Sequence, residues 1–113
     1  MKVQYVVLHH TGVVPEHYDL MVQLPGAEKL VTWRILTPPE AWGANPPVAE
    51  RIADHRVAYL TYEGEISGGR GRVKRVAAGN GTLTTALEWM QLRIEGNLAC
   101  SMSLPWQAGP TRG

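Results

Sequence analysis

Residues 2–35 read KVQYVVLHHTGVVPEHYDLMVQLPGAEKLVTWRI, and this stretch decides the fold. Lys2 to Leu8 is short, apolar and β-branched, the composition of a buried strand. Thr11 to Glu16 contains Gly12 and Pro15 and reads as a loop. His17 to Leu24 alternates loosely and stops at Pro25-Gly26, a turn dipeptide. Lys29 to Ile35 alternates again, with Leu30, Thr32 and Arg34 on one face and Val31, Trp33 and Ile35 on the other. Strand, loop, strand, turn, strand is a meander of antiparallel strands. No helical period of apolar residues interrupts it.

The rest of the chain continues the pattern. Arg56 to Tyr62, Arg72 to Ala78, Leu83 to Glu95 and Leu98 to Leu104 have strand character, and Glu95-Gly96-Asn97 is a hairpin signal. Ser67 to Gly71 must turn. Thr37-Pro38-Pro39-Glu40 suits the start of a short helix near Thr37–Trp42, with Thr37 as its cap, ended by Gly43 and Pro46-Pro47. About seven short strands with regular turn signals predict an all-β fold, a small closed or partly open β-barrel with one or two short helices. Residues 1–106 form this domain, and 107–113 read as a flexible tail.

Composition narrows the function classes. The chain has 113 residues, 44% hydrophobic and 19% charged, which suits one packed domain. A net charge of +1 gives no whole-molecule basic field, so any nucleic-acid surface must be local. No apolar run is long enough to span a membrane, and Met1 to Leu8 reads as a strand rather than a signal peptide. The single cysteine, Cys100, excludes an internal disulfide and a multi-thiolate zinc site. It reads as a small core residue in a cytoplasmic protein. The tryptophans read as core, with Trp42 beside the Pro-rich loop as a partly exposed exception.

The chemistry-bearing residues cluster early. In His17-Tyr18-Asp19, the histidine and the aspartate share a strand face. His10 ends the preceding strand and stands beside His17 if the two strands pair across the Thr11–Glu16 loop. Two imidazoles and a carboxylate suffice to hold a divalent ion with open positions, and manganese, zinc and ferrous iron all accept that set. The alternative is a pair of polar loop-end histidines with Asp19 bonded to a surface cation. His9 points away from His10. His55 and Tyr59 lie on one face of an extended strand and can donate to a phosphate, or serve as a cap and a half-buried core residue. Arg70, Arg72, Lys74 and Arg75 form a local cationic patch, either a phosphate site or a charged sheet edge.

The order of these blocks is more specific than any one of them. His10…His17-Tyr18-Asp19-Leu20, then Thr32-Trp33, then Asp54-His55…Tyr59, then Glu63-Gly64-Glu65-Ile66 and a glycine turn, resembles the 3′-phosphoesterase domain of bacterial DNA ligase D. That family reads roughly H-x(6)-H-Y-D-hydrophobic-R, S-W, E-D-H-x-x-x-Y and E-G-x-I-P followed by a glycine-rich turn. The likeness covers about residues 3 to 78. It implies a small β-barrel with a metal-dependent site in its concavity. The implied hydrolase removes a 3′-terminal ribonucleoside and then the 3′-phosphate during DNA repair. His10, His17 and Asp19 would be the metal ligands, with manganese the first choice and zinc the second. His55 and Tyr59 would contact the scissile phosphate. The implied partners are a nucleic-acid 3′ end, DNA or a DNA/RNA junction, and other repair proteins, with no membrane.

The departures from the family concern its arginines. Met21 stands where the family has an arginine two positions after the aspartate. A second family arginine falls near Pro47, with Arg51 close by. The glycine turn is shorter and lacks its tyrosine. The chain starts at the first strand, so the N-terminal arm of the family enzymes is expected to be missing. Arg34 follows Trp33 where the family has a small residue, and a guanidinium there, with Arg51, Arg70 and Arg72, is expected to supply the phosphate contacts if Trp33 packs outward or under a loop; the alternative is a solvent-facing arginine on an ordinary strand. The rival expectation is a non-catalytic module that binds a metal or a nucleic-acid end.

Overall fold

A computed structural model describes residues 1–43, 47–86, 88–95 and 100–106. Strand makes up 61% of them and helix 7%, an all-β architecture. The strands are β1 (Lys2–Thr11), β2 (His17–Gln23), β3 (Lys29–Ile35), β4 (Ala49–Arg56), β5 (Gly64–Glu65), β6 (Arg72–Thr85), β7 (Trp89–Ile94) and β8 (Cys100–Pro105). They form one antiparallel sheet in the order β4-β3-β2-β1-β6-β7-β8, with β5 added to β6. The expected meander β1-β2-β3 is its centre.

Side-chain alternation gives the sheet two unlike faces. Val3, Tyr5 and Val7 of β1, Leu20 and Val22 of β2, and Val31, Trp33 and Ile35 of β3 point to one side. There they join Leu83, Met90, Leu92, Ile94, Met102 and Leu104 in the main core. Each fully buried large side chain of this set contributes about 1.5–3 kcal/mol. The sheet curls around this core until β4 and β8 lie against each other. Side chains make the closure. Trp33 Nε1 donates to the Pro105 carbonyl at 2.7 Å, and the Arg51 guanidinium stacks 5.2 Å from the Trp106 ring centroid. No strand ladder joins β4 to β8 among the described residues, so the barrel is partly open.

The opposite face carries a smaller apolar cluster, Val6, Leu8, Met21, Leu30 and Val73, covered by Val57, Tyr59, Leu60 and Ile66. These covering residues come from the segment between β4 and β6, which crosses back over the outside of the sheet.

Several elements differ from the sequence reading. Arg56 to Tyr62 is not a strand: β4 ends at Arg56 and a 3-10 turn covers Val57–Leu60. Leu83 to Glu95 is two strands rather than one, because β6 runs on from Arg72 to Thr85 and β7 starts at Trp89. The expected short helix is a 3-10 turn at Pro39–Ala41, with Pro38 rather than Thr37 at its N-cap. The Thr37 carbonyl instead accepts the Trp42 indole N–H at 2.8 Å. Trp42 is 1% exposed, not a surface residue, because that bond lets its ring enter the main core. Cys100 does pack against the core, and burial pushes its thiol pKa up. The hairpin signal at Gly96-Asn97, the first residues of the Leu98 strand, Pro46 and the 107–113 tail lie outside the described residues.

Candidate metal centre

The β1–β2 register pairs His10 with His17 and Leu8 with Asp19. Directly opposed residues in an antiparallel pair project to the same face, so His10, His17 and Asp19 share one. One ligand atom from each lies within 4.8 Å of the others. Asp19 Oδ2 is 3.6 Å from His10 Nδ1, and Asp19 Oδ1 is 3.4 Å from His17 Nε2. These spacings exceed a good hydrogen bond. The two contacts use different oxygens of the carboxylate, so they bracket the space between the three side chains where a divalent ion would sit. His17 and Asp19 are buried, and His10 is half-buried.

Backbone carbonyls set the orientation of both rings. His17 Nδ1 donates to the Pro15 carbonyl at 2.8 Å, and His10 Nε2 donates to the Arg70 carbonyl at 2.7 Å. Each neutral ring therefore keeps its lone pair on the nitrogen that faces Asp19. Such an outer hydrogen bond is the usual companion of a metal-ligating histidine. Asp19 Oδ1 is buried and has no hydrogen-bond partner. The Asp19 carboxylate, ready to accept a bond from a protonated ring, holds the His17 pKa above its ordinary 6.5. The Pro15 carbonyl adds to this, while burial and the positive charge of Arg34 pull the other way.

Two loops meet backbone to backbone to place the Arg70 carbonyl. Gly12, in the β1–β2 loop, has φ +77° and Gly71 has φ +81°. A Cβ on Gly12 would sit 3.0 Å from the Gly71 Cα, and a Cβ on Gly71 would collide with the Thr11 carbonyl oxygen. Only glycine allows this approach at such a φ.

The candidate phosphate contacts scatter. Arg34 pairs with Asp19 in the β2–β3 register and so faces the same side as the triad. Arg51 pairs with Trp33 and faces the barrel interior. It stacks on Trp33 and Trp106 and bonds Asp54 at 3.0 Å, so it tightens the barrel rather than facing the triad. Arg72 pairs with Thr11, and Lys74 with His9, on the face opposite the triad. Arg70 lends its carbonyl to His10, but its guanidinium folds back onto the Ser67 carbonyl at 2.8 Å. Met21 shares the triad's face, yet it is 1% exposed inside the small apolar cluster. His9 stacks on Tyr18 and bonds Glu16 on the other face.

His55 and Tyr59 do come together, but not along a strand. The 3-10 turn brings their rings to 5.6 Å, edge to face. His55 stands opposite Leu30. About 13 Å of β3 separates that position from Arg34, at about 3.3 Å per residue. His55 Nδ1 donates to the Ala53 carbonyl at 2.9 Å. The resemblance implies a site in the concavity of the barrel. Here the triad lies on the sheet face turned away from the main core, beside the crossing segment, because alternation commits the other face to Leu20, Val22 and Trp33. Sequence reasoning missed the Pro15 and Arg70 carbonyls, since any residue type carries one. It also missed Glu50, which pairs with Arg34 on the β4 side.

No protein-family model and no curated protein matches the chain.

Proposed function

We propose that this chain is a divalent-metal-binding, phosphoesterase-like domain that acts at nucleic-acid 3′ ends, removing a 3′-phosphate or a 3′-ribonucleoside. The substrate comes from the resemblance to the ligase D domain. The observation that supports the chemistry is the convergence of His10, His17 and Asp19 with their lone pairs turned inward. The N,N,O donor set suits manganese and zinc, and leaves coordination positions open. A bound ion would polarise a phosphoryl oxygen and offset its charge. His17 and Asp19 hold their donors away from bulk water, and the two carbonyls keep both imidazoles in the ligating tautomer. His55 and Tyr59 line the same face. With Nδ1 committed to Ala53, His55 can give a proton from Nε2 only in its charged form.

A second reading, a non-catalytic module that binds a metal or a nucleic-acid end, draws on the distance along β3 between the triad and His55. Manganese titration followed by turnover assays separates the two. Wild type should bind manganese with one site, and His17→Ala should lose it. Manganese-dependent release of phosphate or ribonucleoside from a primer–template 3′ end supports the enzyme. Binding without turnover supports the module, and a wild type that binds no divalent metal overturns both.

A further inference from the structure

We infer that Arg34 is the anion clamp of this centre and holds a terminal phosphoryl group against the His10–His17–Asp19 site. The inference rests on the proposed metal site and adds the residue that selects its ligand. Arg34 is directly opposite Asp19 across the β2–β3 ladder, so its side chain leaves the sheet beside the triad. Its Nε is buried and has no hydrogen-bond partner. Among the described residues no carboxylate lies within ion-pairing distance of it, although Asp19 and Glu50 flank it in register on either side. A guanidinium has a planar fork of donors that matches phosphate oxygens, and a buried donor without an acceptor destabilises the fold until a ligand supplies one.

The other cations are engaged or turned away. Arg51 also has a buried, unpartnered Nε, but it points into the barrel against two tryptophans and bonds Asp54, away from the triad. Arg70 is held by its own turn. Arg72 and Lys74 face the other side. Arg75 is on the triad's face, but it is exposed and two strands from Asp19. Arg34 is therefore the cation beside the triad with a donor to spare. Glu50 lies beyond Arg34 toward β4, which confines the anion to the β2 side. The proposed 3′-end substrate supplies such an anion as its terminal phosphoryl group.

The test titrates inorganic phosphate into manganese-loaded protein by calorimetry. Arg34→Gln should weaken phosphate binding about tenfold or more, the loss of a charge-assisted hydrogen bond. Manganese affinity should stay within about threefold. Arg34→Lys, which keeps the charge without the fork, should fall between and serves if the glutamine variant does not fold. Arg75→Gln, the control, should change phosphate affinity by less than about threefold. Equal phosphate affinity in wild type and Arg34→Gln overturns the inference, as does a wild type that binds manganese but no phosphate. Parallel loss of manganese and phosphate in Arg34→Gln gives Arg34 a structural role instead. A wild type that binds no manganese removes the proposed function and the inference together.

Discussion

Replacing Gly71 by alanine tests the link between loop packing and the proposed metal site. Gly71 has φ +81°, and its Cβ would strike the Thr11 carbonyl oxygen. Gly69, two residues earlier in the same turn, has φ +69°, and a Cβ added there would meet nothing within 4 Å. Each alanine incurs the left-handed backbone cost, about 1–2 kcal/mol. Gly71→Ala adds overlap with a backbone oxygen, worth about 1–3 kcal/mol more. The expected losses are therefore about 1–2 kcal/mol for Gly69→Ala and about 2–5 kcal/mol for Gly71→Ala, read from urea denaturation midpoints. The second readout is manganese affinity. Moving Gly71 moves the Arg70 carbonyl, which fixes the His10 tautomer, and losing such an outer contact typically costs 10- to 100-fold in metal binding. Gly69→Ala should leave affinity within about twofold. If the two variants lose equal stability, the backbone contact is not what requires glycine. If Gly71→Ala unfolds earlier but binds manganese like wild type, the Arg70 carbonyl does not orient His10.

Two further predictions concern other contacts. Arg51→Ala should cost about 1–3 kcal/mol in denaturation, through its stacking on Trp33 and Trp106, and should leave phosphate and manganese binding unchanged; a loss of phosphate affinity would return Arg51 to the site. Asp19 holds the His17 pKa above 6.5, and a protonated ring cannot ligate. Manganese affinity should therefore fall as pH drops, starting above 6.5 and approaching tenfold per pH unit below the raised pKa, with proton release detectable by calorimetry in two buffers. The metal-free protein should show the opposite slope: the stability from protonated His17 is complete below the unfolded value near 6.5 and is lost as pH rises through the higher folded pKa. Affinity that does not vary with pH would separate His17 from the ion.

Much of this architecture was legible because strand periodicity is local. The alternation at Lys29–Ile35 put Trp33 and Arg34 on opposite faces, and the loop between His10 and His17 predicted their pairing; both features are in the register. What escaped depends on distant partners. Arg51 reads as a phosphate ligand until Trp33 and Trp106 are seen around it. Arg72 and Lys74 share a face, but a sequence does not say which one. The extended look of Arg56 to Tyr62 hides a 3-10 turn whose apolar residues cover a cluster built by Val6, Met21 and Val73. The tautomers of His10 and His17 are set by carbonyls of Arg70 and Pro15, whose identities carry no signal.

The side-chain seam between β4 and β8 has a consequence for where the molecule can breathe. Among the described residues, each of these strands has one ladder-bonded neighbour, whereas β1 and β2 are bonded on both sides. Amide hydrogens on the free sides of β4 and β8 should exchange with solvent first, through partings of the seam that leave the rest of the sheet intact. The triad stands on β1 and β2, away from that opening. Thermal loosening of the barrel would therefore begin away from His10, His17 and Asp19, and a coordination geometry built there would outlive those first partings.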